Sequence, residues 1–359
     1  MHHGQHGRQT INILVTGHRG YIGSVLIPDL VKAGYRNITG LDSDLYRDSS
    51  LYSHPLKIRE IEKDIRDITI DDVSGYDAVI HLAGLSNDPL GELRPELTYE
   101  INLDATRRLA ELARKAGVKR FVFSSSCSVY GASIDVELTE DSEVNPVTTY
   151  AKSKYFAELE LSKLANDNFC PVSLRNATVF GLSPKLRFDL VVNNLVAWAC
   201  STGKIFLKSD GTAWRPLVHV NDISSAIIKI ITAPTHSVFN QVFNVGNNEN
   251  NFQILEVAEL IRNIIDGVEI VFAIDAEKDI RNYNVSFRKF METFPDFQST
   301  CTLENAIIDL YECFKSIDLI MDDFEGPKFN RIKCIRNLQD RNILDSRLRW
   351  NTELKLQAM

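Results

Sequence analysis

The sequence predicts an α/β protein with a doubly wound parallel sheet and a smaller mixed α/β C-terminal lobe. Short apolar runs typical of buried strands alternate with longer helical patterns through the first half of the chain. A glycine-bearing turn follows the first apolar run directly. After Gly181 the alternation weakens, loops lengthen, and Asn and Pro become frequent. These three observations together indicate the fold class.

The expected strands are short, and a helical pattern follows most of them. We predict strands in INILVT (11–16), NITGLD (37–42), DAVIHLAG (77–84), KRFVFSSS (119–126) and CPVSLRNATVF (170–180). Helical patterns cover YIGSVLIPDLVKAG, which stops at Gly34, and then about 95–117 and 147–168. Because parallel strands need crossover connections, the helices are expected on both faces of the sheet.

Composition limits the classes of function. The chain has 359 residues and a formal net charge of −8, with no dense basic run, so a nucleic-acid partner is not expected. No apolar stretch approaches the roughly 20 residues of a membrane span, and the polar start lacks a signal-peptide core. Six cysteines have no C-x-x-C spacing, which argues against a metal site or disulfide framework: Cys127, Cys170, Cys200, Cys301, Cys313 and Cys334. A cytoplasmic enzyme without metal is expected.

The turn TGHRGYIG (16–23) is typical of a Rossmann-type dinucleotide site. Its three glycines allow a tight turn, close approach of the backbone to a pyrophosphate, and close packing of helix on strand. Asp42 ends the second strand about 20 residues further on, where a carboxylate accepts hydrogen bonds from the adenine ribose. The alternative is a structural turn with an unrelated aspartate. The predicted cofactor residues here are Gly17, Arg19, Gly20, Tyr21, Ile22, Gly23 and Asp42.

The same residues favour NAD over NADP. Asp42 would repel a 2′-phosphate, whereas Arg19 or Arg47 could pair with one and keep NADP open. Asp64 and Ile65 are candidates for the adenine edge, although a plain strand end explains them equally well. We expect the dinucleotide-binding domain over 11–180 and about 216–245. The substrate lobe is expected over 181–215 and 246–350, and 1–10 as a flexible N-terminus.

Tyr150 and Lys154 lie one helical turn apart in YAKSK, so their side chains share a face. A phenol with a pKa of about 10 is a poor base at neutral pH. The lysine and a positively charged nicotinamide nearby would both lower that pKa, and the tyrosine could then take a proton from a sugar hydroxyl. The alternative is an ordinary surface pair. Hydroxyls in FVFSSSCSVYG, Ser126 above all, favour the catalytic interpretation because they end a parallel strand.

The ordered set of motifs resembles a known family. The motifs are TGHRGYIG, Asp42, HLAG (81–84), Asn102, SSSCSVYG (124–131), YAKSK (150–154) and WRPLVHVND (214–222). Together they resemble the extended short-chain dehydrogenase/reductase family, specifically its NAD-dependent epimerase/dehydratase group acting on nucleotide sugars. The resemblance runs from about residue 11 to 290. LRNATVFGLSPKLRFDLVVNNL further resembles a subgroup that includes a heptose-nucleotide 4-dehydrogenase, which implies redox chemistry at the sugar C4.

The resemblance implies roles for individual residues. The catalytic positions fall on Ser126, Tyr150, Lys154 and Asn102, and Asn102 either caps a helix kink or holds a relay water. Further cofactor contacts are implied at Leu82, Ala83, Gly84, Ser124, Tyr150 and Lys154. Arg215 and Arg281 are placed against the substrate diphosphate. Arg187 and Lys185, in SPKLRFD, are further candidates for the substrate phosphates. Other predicted substrate contacts are Ser126, Cys127, Ser128, Thr178 and Leu190.

Two departures from the family pattern bear on the reaction. The 4,6-dehydratases carry an Asp-Glu pair where this chain has Cys127 and Ser128, so dehydration lacks its acid and base. A sugar-contacting asparagine of several relatives is replaced by Thr178, which leaves the sugar open. Cys127 is interpreted as a packed, inert thiol rather than an acid.

The leading hypothesis is an NAD-dependent nucleotide-sugar epimerase or dehydrogenase acting at C4 with Tyr150 as the base. A 4-ketoreductase, a 4,6-dehydratase with unusual acid–base groups, and a non-catalytic NAD sensor are the alternatives. The helices over about 95–117 and 147–168 pair across a two-fold axis in this family, so a homodimer is expected. Small residues on these helices would allow close approach: Ala105, Ala110, Ala113 and Ala157.

Overall fold

The computed structural model describes residues 11–55, 57–86, 88–131, 137–277, 279, 282–299 and 301–351. Its strands, in chain order, are β1 (Asn12–Thr16), β2 (Asn37–Asp42), β3 (Arg59–Glu62), β4 (Ala78–His81), β5 (Arg120–Ser126), β6 (Cys170–Asn176), β7 (Thr178–Phe180), β8 (Lys204–Ser209), β9 (Trp214–His219), β10 (Val242–Val245), β11 (Asn251–Gln253) and β12 (Glu269–Glu277). Seven of these strands form one parallel sheet in the order β3-β2-β1-β4-β5-β6-β10. This confirms the predicted α/β class.

The helices are α1 (Gly23–Lys32), α2 (Asp88–Leu93), α3 (Pro95–Tyr99), α4 (Ala105–Lys115), α5 (Thr149–Leu164), α6 (Val191–Thr202), α7 (Val220–Thr232), α8 (Thr235–Val238), α9 (Ile254–Ile264), α10 (Arg288–Thr293), α11 (Leu303–Ser316), α12 (Met321–Glu325) and α13 (Arg331–Asp340). A π-helical turn, Glu100–Asp104, joins α3 to α4. The segment predicted as one helix over 95–117 is therefore continuous but locally widened at its centre.

Helices cover both faces of the seven-stranded sheet. Leu14 of β1 packs with α4 and α5 on one face, whereas its neighbours Ile13 and Val15 pack with α1 and α7 on the other. Successive strand residues point to opposite faces, and both faces are apolar here because both are covered. Strand order reverses between β1 and β4, so the carboxyl ends of these two strands border a crevice.

A second hydrophobic core lies in the smaller lobe among α6, α9, α11 and β8. Phe188 sits at its centre, with ring centroids 5.0 to 5.6 Å from those of Phe314, Phe324 and Phe329. Strands β7, β9 and β11 form a three-stranded sheet, and β8 pairs with β12. These elements place the lobe over the carboxyl ends of the central strands.

The structure divides two segments that the sequence pattern treats as single units. Residues 170–180 break at Ala177, so β6 stays in the central sheet and β7 pairs with β9. Within 216–245, only β10 returns to the central sheet, because β9 joins the three-stranded sheet. The run 170–180 therefore contributes one strand to the central sheet and one to the three-stranded sheet.

The end of the described chain packs on the dinucleotide-binding side, whereas the sequence assigned 246–350 to the substrate lobe. Ile335 and Leu348 join the core formed by α4 and α5, and Cys334 packs near Leu45 and Tyr46. Over the described residues, no helix is both long and apolar enough to cross a bilayer. Within the same residues, no cluster of three or more His, Cys, Asp or Glu has metal-binding geometry.

Candidate active site

The glycine turn lies at the carboxyl end of β1 and opens α1. Gly17 has φ +78°, and a Cβ there would lie 2.6 Å from the backbone nitrogen of Ala83. A Cβ at Gly23 would lie 2.4 Å from the Gly17 carbonyl oxygen. Only glycine fits these two positions, because larger residues would collide with backbone atoms. The turn thus forms a close backbone wall along one side of the crevice.

Asp42 stands at the end of β2 on the rim of this crevice. Its carboxylate accepts hydrogen bonds from the Arg19 backbone nitrogen at 3.0 Å and the Asp44 backbone nitrogen at 2.8 Å. Burial nevertheless raises the carboxyl pKa above its usual value. The two bonds fix its orientation across the mouth of the glycine turn.

The two arginines that kept NADP open are both paired with carboxylates. Arg19 contacts Asp44 at 2.5 Å and Glu60 at 3.1 Å. Arg47 contacts Glu62 at 3.0 Å, and its guanidinium lies 4.2 Å from the ring centroid of Trp350. Neither guanidinium is therefore presented as an open receptor for a phosphate.

Asp64 and Ile65 both line the crevice but in different ways. The Asp64 carboxylate is bound by Arg66 at 2.7 Å and approached by Arg349 at 3.4 Å, which holds its pKa below the usual value. Ile65 is buried and supplies an apolar wall. Asp64 is thus engaged in a salt-bridge network, whereas Ile65 supplies an apolar surface of the crevice, and its contact with the adenine stays a prediction.

The remaining residues predicted for the cofactor also border the crevice. They are Gly20, Ile22, Leu82, Ala83 and Gly84, with Tyr21 beside them. The buried Tyr21 hydroxyl donates to the Gly181 carbonyl at 2.6 Å. Tyr21 therefore ties the glycine turn to the start of the smaller lobe.

A cavity of about 590 Å³ adjoins the crevice under the smaller lobe. It gathers most of the residues predicted for catalysis and substrate binding, since its walls include Ser124, Ser126, Ser128, Tyr150, Lys154, Thr178, Arg187, Leu190 and Arg215. Ile22, Leu82, Gly84 and Arg187 line both spaces. A molecule in the crevice and one in the cavity would therefore meet beside Ile22 and the segment that follows β4.

Tyr150 lies in the first turn of α5, which Thr148 caps by accepting a hydrogen bond from the Ala151 nitrogen at 3.1 Å. The Ser126 hydroxyl is within hydrogen-bonding reach of the phenol. Burial raises the pKa of Tyr150 to about 12, against the opposing charge of Arg187. The expected lowering of this pKa does not occur in the chain alone, because desolvation outweighs the nearby positive charge.

Lys154 points from the next turn of α5 into the same wall. Its Nζ donates to the Ser124 carbonyl at 2.8 Å and lies 4.7 Å from the centroid of the Phe123 ring. Burial lowers the pKa of the ammonium to about 8, although Glu158 one turn further on raises it. Lys154 is therefore a buried amine that titrates near neutrality rather than a permanent charge.

Asn102 lies in the π-helical turn, and its side chain is fully engaged. Its Oδ1 accepts from the Leu85 nitrogen at 2.8 Å, and its Nδ2 donates to the Leu85 carbonyl at 2.9 Å and to Ser153 Oγ at 3.2 Å. The sequence left two roles for Asn102, capping a helix kink or holding a relay water. These contacts agree with the first role, because the side chain bonds to the backbone of Leu85 and to Ser153. Asn102 holds the loop after β4 against α5 beneath the cavity.

The chain leaves β5 at Ser126 and enters a 3-10 helix, Cys127–Tyr130, which separates the neighbouring side chains. Ser126 and Ser128 line the cavity, whereas Cys127 is 1% exposed and its thiol donates to the Arg175 carbonyl at 3.1 Å. Burial raises the thiol pKa far above its usual value. The prediction of Cys127 as a substrate contact is wrong because the side chain points away from the cavity.

The candidate phosphate-binding arginines line the cavity with acidic partners. Arg187 forms a bidentate pair with Asp189 at 2.6 and 3.1 Å. Arg215 contacts Asp279 at 2.6 Å, and its guanidinium lies 5.5 Å from the Tyr283 ring centroid. Arg281, the other predicted diphosphate residue, lies outside the described residues.

Several wall residues were not predicted from the sequence. Asp88, Asn176 and Tyr283 line the cavity, and Arg331 lines both the cavity and the crevice. Asn176 follows directly from the strand-end rule, since it is the last residue of β6. Arg331 had no such signal, because it comes from a C-terminal helix whose packing the local pattern does not reveal.

Comparison with known proteins identifies the family. The sequence profile of the "NAD dependent epimerase/dehydratase family" matches residues 13–246, which is more than half of the chain. The chain belongs to this family. The resemblance predicted from the motifs is thereby confirmed, and the matched segment contains the glycine turn, the end of β5 and helix α5.

Individual relatives agree with this assignment. The chain is 29% identical over 286 residues to a UDP-glucose 4-epimerase of Bacillus subtilis (strain 168), covering 72% of this chain and 84% of the relative. A solved structure, "MoeE5 in complex with UDP-glucuronic acid and NAD", is 26% identical with a TM-score of 0.73, covering 85% of this chain and 99% of that one. UDP-glucose 4-epimerase of Thermotoga maritima, at 24% identity and a TM-score of 0.74, shares the fold over 86% of this chain and 99% of its own.

Proposed function

We propose that the protein is an NAD-dependent enzyme that inverts C4 of a nucleotide-diphosphate sugar. One observation carries the proposal: Tyr150, Ser126 and Lys154 line the same sugar-sized cavity, which adjoins the dinucleotide crevice. The name of the Bacillus subtilis relative, a UDP-glucose 4-epimerase, supports C4 as the site of reaction. The same name supports UDP-hexoses as the first substrates to test.

The crevice fits NAD by shape and by charge. The glycine turn leaves room for a pyrophosphate only because Cβ atoms are absent at Gly17 and Gly23. Asp42 stands where a ribose diol would donate hydrogen bonds, and carboxylates of Asp44 and Glu60 surround the same rim. Like charges would repel a 2′-phosphate there, so NAD is favoured over NADP. When bound, NAD supplies the acceptor and donor of a hydride at the sugar carbon.

The protein's own residues would manage the proton. Tyr150 Oη takes the proton of the sugar C4 hydroxyl and later returns it, while the Ser126 hydroxyl donates a hydrogen bond to the same oxygen. The Ser128 backbone nitrogen donates to Ser126 Oγ at 3.1 Å, which leaves the serine proton free to point at the substrate. The positive charge of Arg187 favours the phenolate. A protonated Lys154, with Nζ 5.9 Å from the centroid of the Tyr150 ring, would act in the same direction.

Two arginines suit the substrate diphosphate. Arg215 and Arg187 both line the cavity, and a planar guanidinium binds two phosphate oxygens at once. Each is already oriented by a carboxylate, Asp279 or Asp189. A diphosphate bound by them would lie in the same cavity as Tyr150.

Dehydration is the less favoured reaction on this site. A 4,6-dehydratase needs an acid and a base beside the sugar, and the thiol of Cys127 is buried away from the cavity. Ser128 does face the cavity, but an alcohol is a weak acid and a weak base at neutral pH. Neither Cys127 nor Ser128 therefore replaces the missing acid–base pair, whereas inversion through a keto sugar needs only the proton transfer assigned to Tyr150.

The test is to incubate the purified protein with UDP-glucose and follow the sugar by proton NMR. Appearance of the C4 epimer, with no net reduction of NAD, is the expected result. Loss of the mass of one water would establish dehydration instead. Stoichiometric formation of NADH with a released keto sugar would establish a net dehydrogenase, and either result would contradict the proposal.

We also propose that the protein pairs as a homodimer through α5. Phe156 and Leu159 are each 41% exposed on the outer side of this helix, and the Phe156 ring stacks on Tyr99 at 6.5 Å. The small residues named for close approach do not form this surface. Ala105, Ala110, Ala113 and Ala157 are buried within the protomer.

A further inference from the structure

The segment 331–351 borders the crevice although it lies beyond the family-matched residues 13–246. Asn330 caps α13 by accepting a hydrogen bond from the Lys333 nitrogen at 3.2 Å. Arg331 opens the helix and Leu348 follows it, and both side chains line the crevice beside the glycine turn. The C-terminal segment therefore supplies a wall that the family profile does not include.

Arg331 is a buried cation without a counter-ion in the part of the chain that the structure describes. The residue is 6% exposed, and its Nη1 has no hydrogen-bond partner. Its guanidinium carbon lies 3.8 Å from the centroid of the Tyr46 ring. The nearby Arg187 has the same charge, and Asp189 already forms a bidentate pair with Arg187. Burial, with Arg187 adding to it, lowers the pKa of Arg331.

An uncompensated guanidinium at this depth is costly unless an anion joins it. Arg331 borders the same crevice as the turn from Gly17 to Gly23, whose shape suits a diphosphate. We propose that Arg331 binds the diphosphate of the bound dinucleotide and that the segment 331–351 thereby retains the cofactor between turnovers. This inference rests on the proposed cofactor but not on the reaction at the sugar.

The end of the segment is fastened to the strand ends that form the crevice. Trp350 Nε1 donates to the Ser43 carbonyl at 2.6 Å, directly after β2. Arg349 approaches Asp64, two residues after the end of β3, at 3.4 Å. Both attachment points flank the predicted adenine end of the site, so the segment crosses its mouth.

Two further contacts close the same side. Arg347 contacts the Glu100 carboxylate at 2.8 and 2.9 Å, in the π-helical turn. Leu348 is 5% exposed and has φ +60°, an unfavourable conformation for a bulky residue. The packing of the Leu348 side chain in the apolar core beside Ile65 offsets the cost of this backbone conformation. The segment is thus a fixed wall rather than a loose tail.

Arg331 also lines the sugar cavity, so the substrate diphosphate is a second source of the same chemistry. Two titrations distinguish the sources. NAD is titrated into cofactor-free protein, and UDP is titrated into NAD-loaded protein, both by calorimetry. Arg331→Met is compared with Arg336→Met, which removes an exposed arginine from the same helix.

The expected result is that Arg331→Met weakens NAD about tenfold to hundredfold, as loss of a charge-assisted contact does. NADH release in stopped-flow fluorescence is expected to accelerate similarly. UDP binding to the NAD-loaded protein should stay within about twofold, and Arg336→Met should match the wild type in every measurement. Unchanged NAD affinity would overturn the proposal. A loss confined to UDP would also overturn it and assign Arg331 to the substrate.

Should Arg331→Met fail to fold, the wild-type protein still provides a test. Hydrogen exchange of α13 is compared with that of α11, a helix of the smaller lobe, with and without NAD. Selective protection of α13 by NAD is expected, and protection equal in both helices or absent from α13 would overturn the proposal. Because no sugar is present, these results stand or fall independently of the epimerase assignment.

Discussion

The Nζ of Lys154 lies 5.9 Å from the centroid of the Tyr150 ring, one turn away along α5. The Lys154 Nζ donates a hydrogen bond to the Ser124 carbonyl at 2.8 Å. Burial sets the pKa of Lys154 to about 8 and that of Tyr150 to about 12. The pair alone therefore holds a neutral phenol, and further positive charge at the crevice is needed to make the phenol a base.

Replacing Lys154 by Met is expected to stabilise the cofactor-free protein below pH 8. A lysine titrates near 10.5 when unfolded and about 8 here, so the unfolded chain binds more protons between these values. The free energy of unfolding of the wild type therefore rises with pH through this window. At pH 7 the Met variant should be more stable by about 1–3 kcal/mol.

Urea unfolding of both proteins at several pH values checks this. The advantage of Lys154→Met should shrink from pH 8 to 10.5. Lys152→Met, at an exposed position of the same helix, should parallel the wild type throughout. Parallel curves for Lys154→Met and the wild type would show that burial does not penalise the ammonium.

Ser126 and Cys127 are neighbours with opposite expected phenotypes. Ser126→Ala removes a hydroxyl within reach of the Tyr150 phenol and should lower kcat at least about tenfold, through loss of a hydrogen bond that strengthens in the transition state. Cys127→Ala changes a buried thiol outside the cavity and should leave kcat within about twofold. Steady-state epimerisation assays compare the two. A larger loss from the Cys127 variant would contradict the geometry.

Asp42→Asn is expected to weaken NAD about tenfold because a charged acceptor for the ribose is lost. It should not create NADP binding, since Asp44 and Glu60 remain on the rim and hold Arg19. Calorimetric titration of both dinucleotides measures this. Asp71→Asn, an exposed aspartate elsewhere, is the control. A variant that prefers NADP would show that Asp42 alone sets the choice.

Phe156→Glu is expected to dissociate the proposed homodimer. It places a charge on the exposed face of α5, where the phenylalanine is 41% exposed. Light scattering coupled to size exclusion should report a monomer for this variant. Phe239→Glu, at a site 37% exposed outside α5, should leave the dimer intact. A wild type that is monomeric at all concentrations would refute the interface.

The sheet and the cofactor turn could be predicted because their signals are local. NITGLD was expected as a strand over 37–42, and β2 spans Asn37–Asp42. The glycines of the turn mark positions where any Cβ would strike backbone atoms, which is a constraint on residue type itself. Local periodicity and steric exclusion thus account for most of the fold.

The electrostatics of the site could not be predicted in the same way. The pKa of Tyr150 depends on how deeply tertiary packing removes the phenol from water, and no motif encodes that depth. The direction of the Cys127 side chain likewise depends on the 3-10 helix that begins there, because β5 ends at Ser126. Arg331 could not be predicted either, because its position depends on the return path of the C-terminal segment.

The central claim is that Tyr150 Oη moves the proton at the sugar C4 oxygen. Turnover of UDP-glucose to its C4 epimer by Tyr150→Phe, measured beside the NAD affinity of the same variant, tests it most directly. The claim predicts at least about a hundredfold loss of kcat with NAD binding within about twofold of the wild type. Turnover by Tyr150→Phe close to the wild-type rate would contradict it.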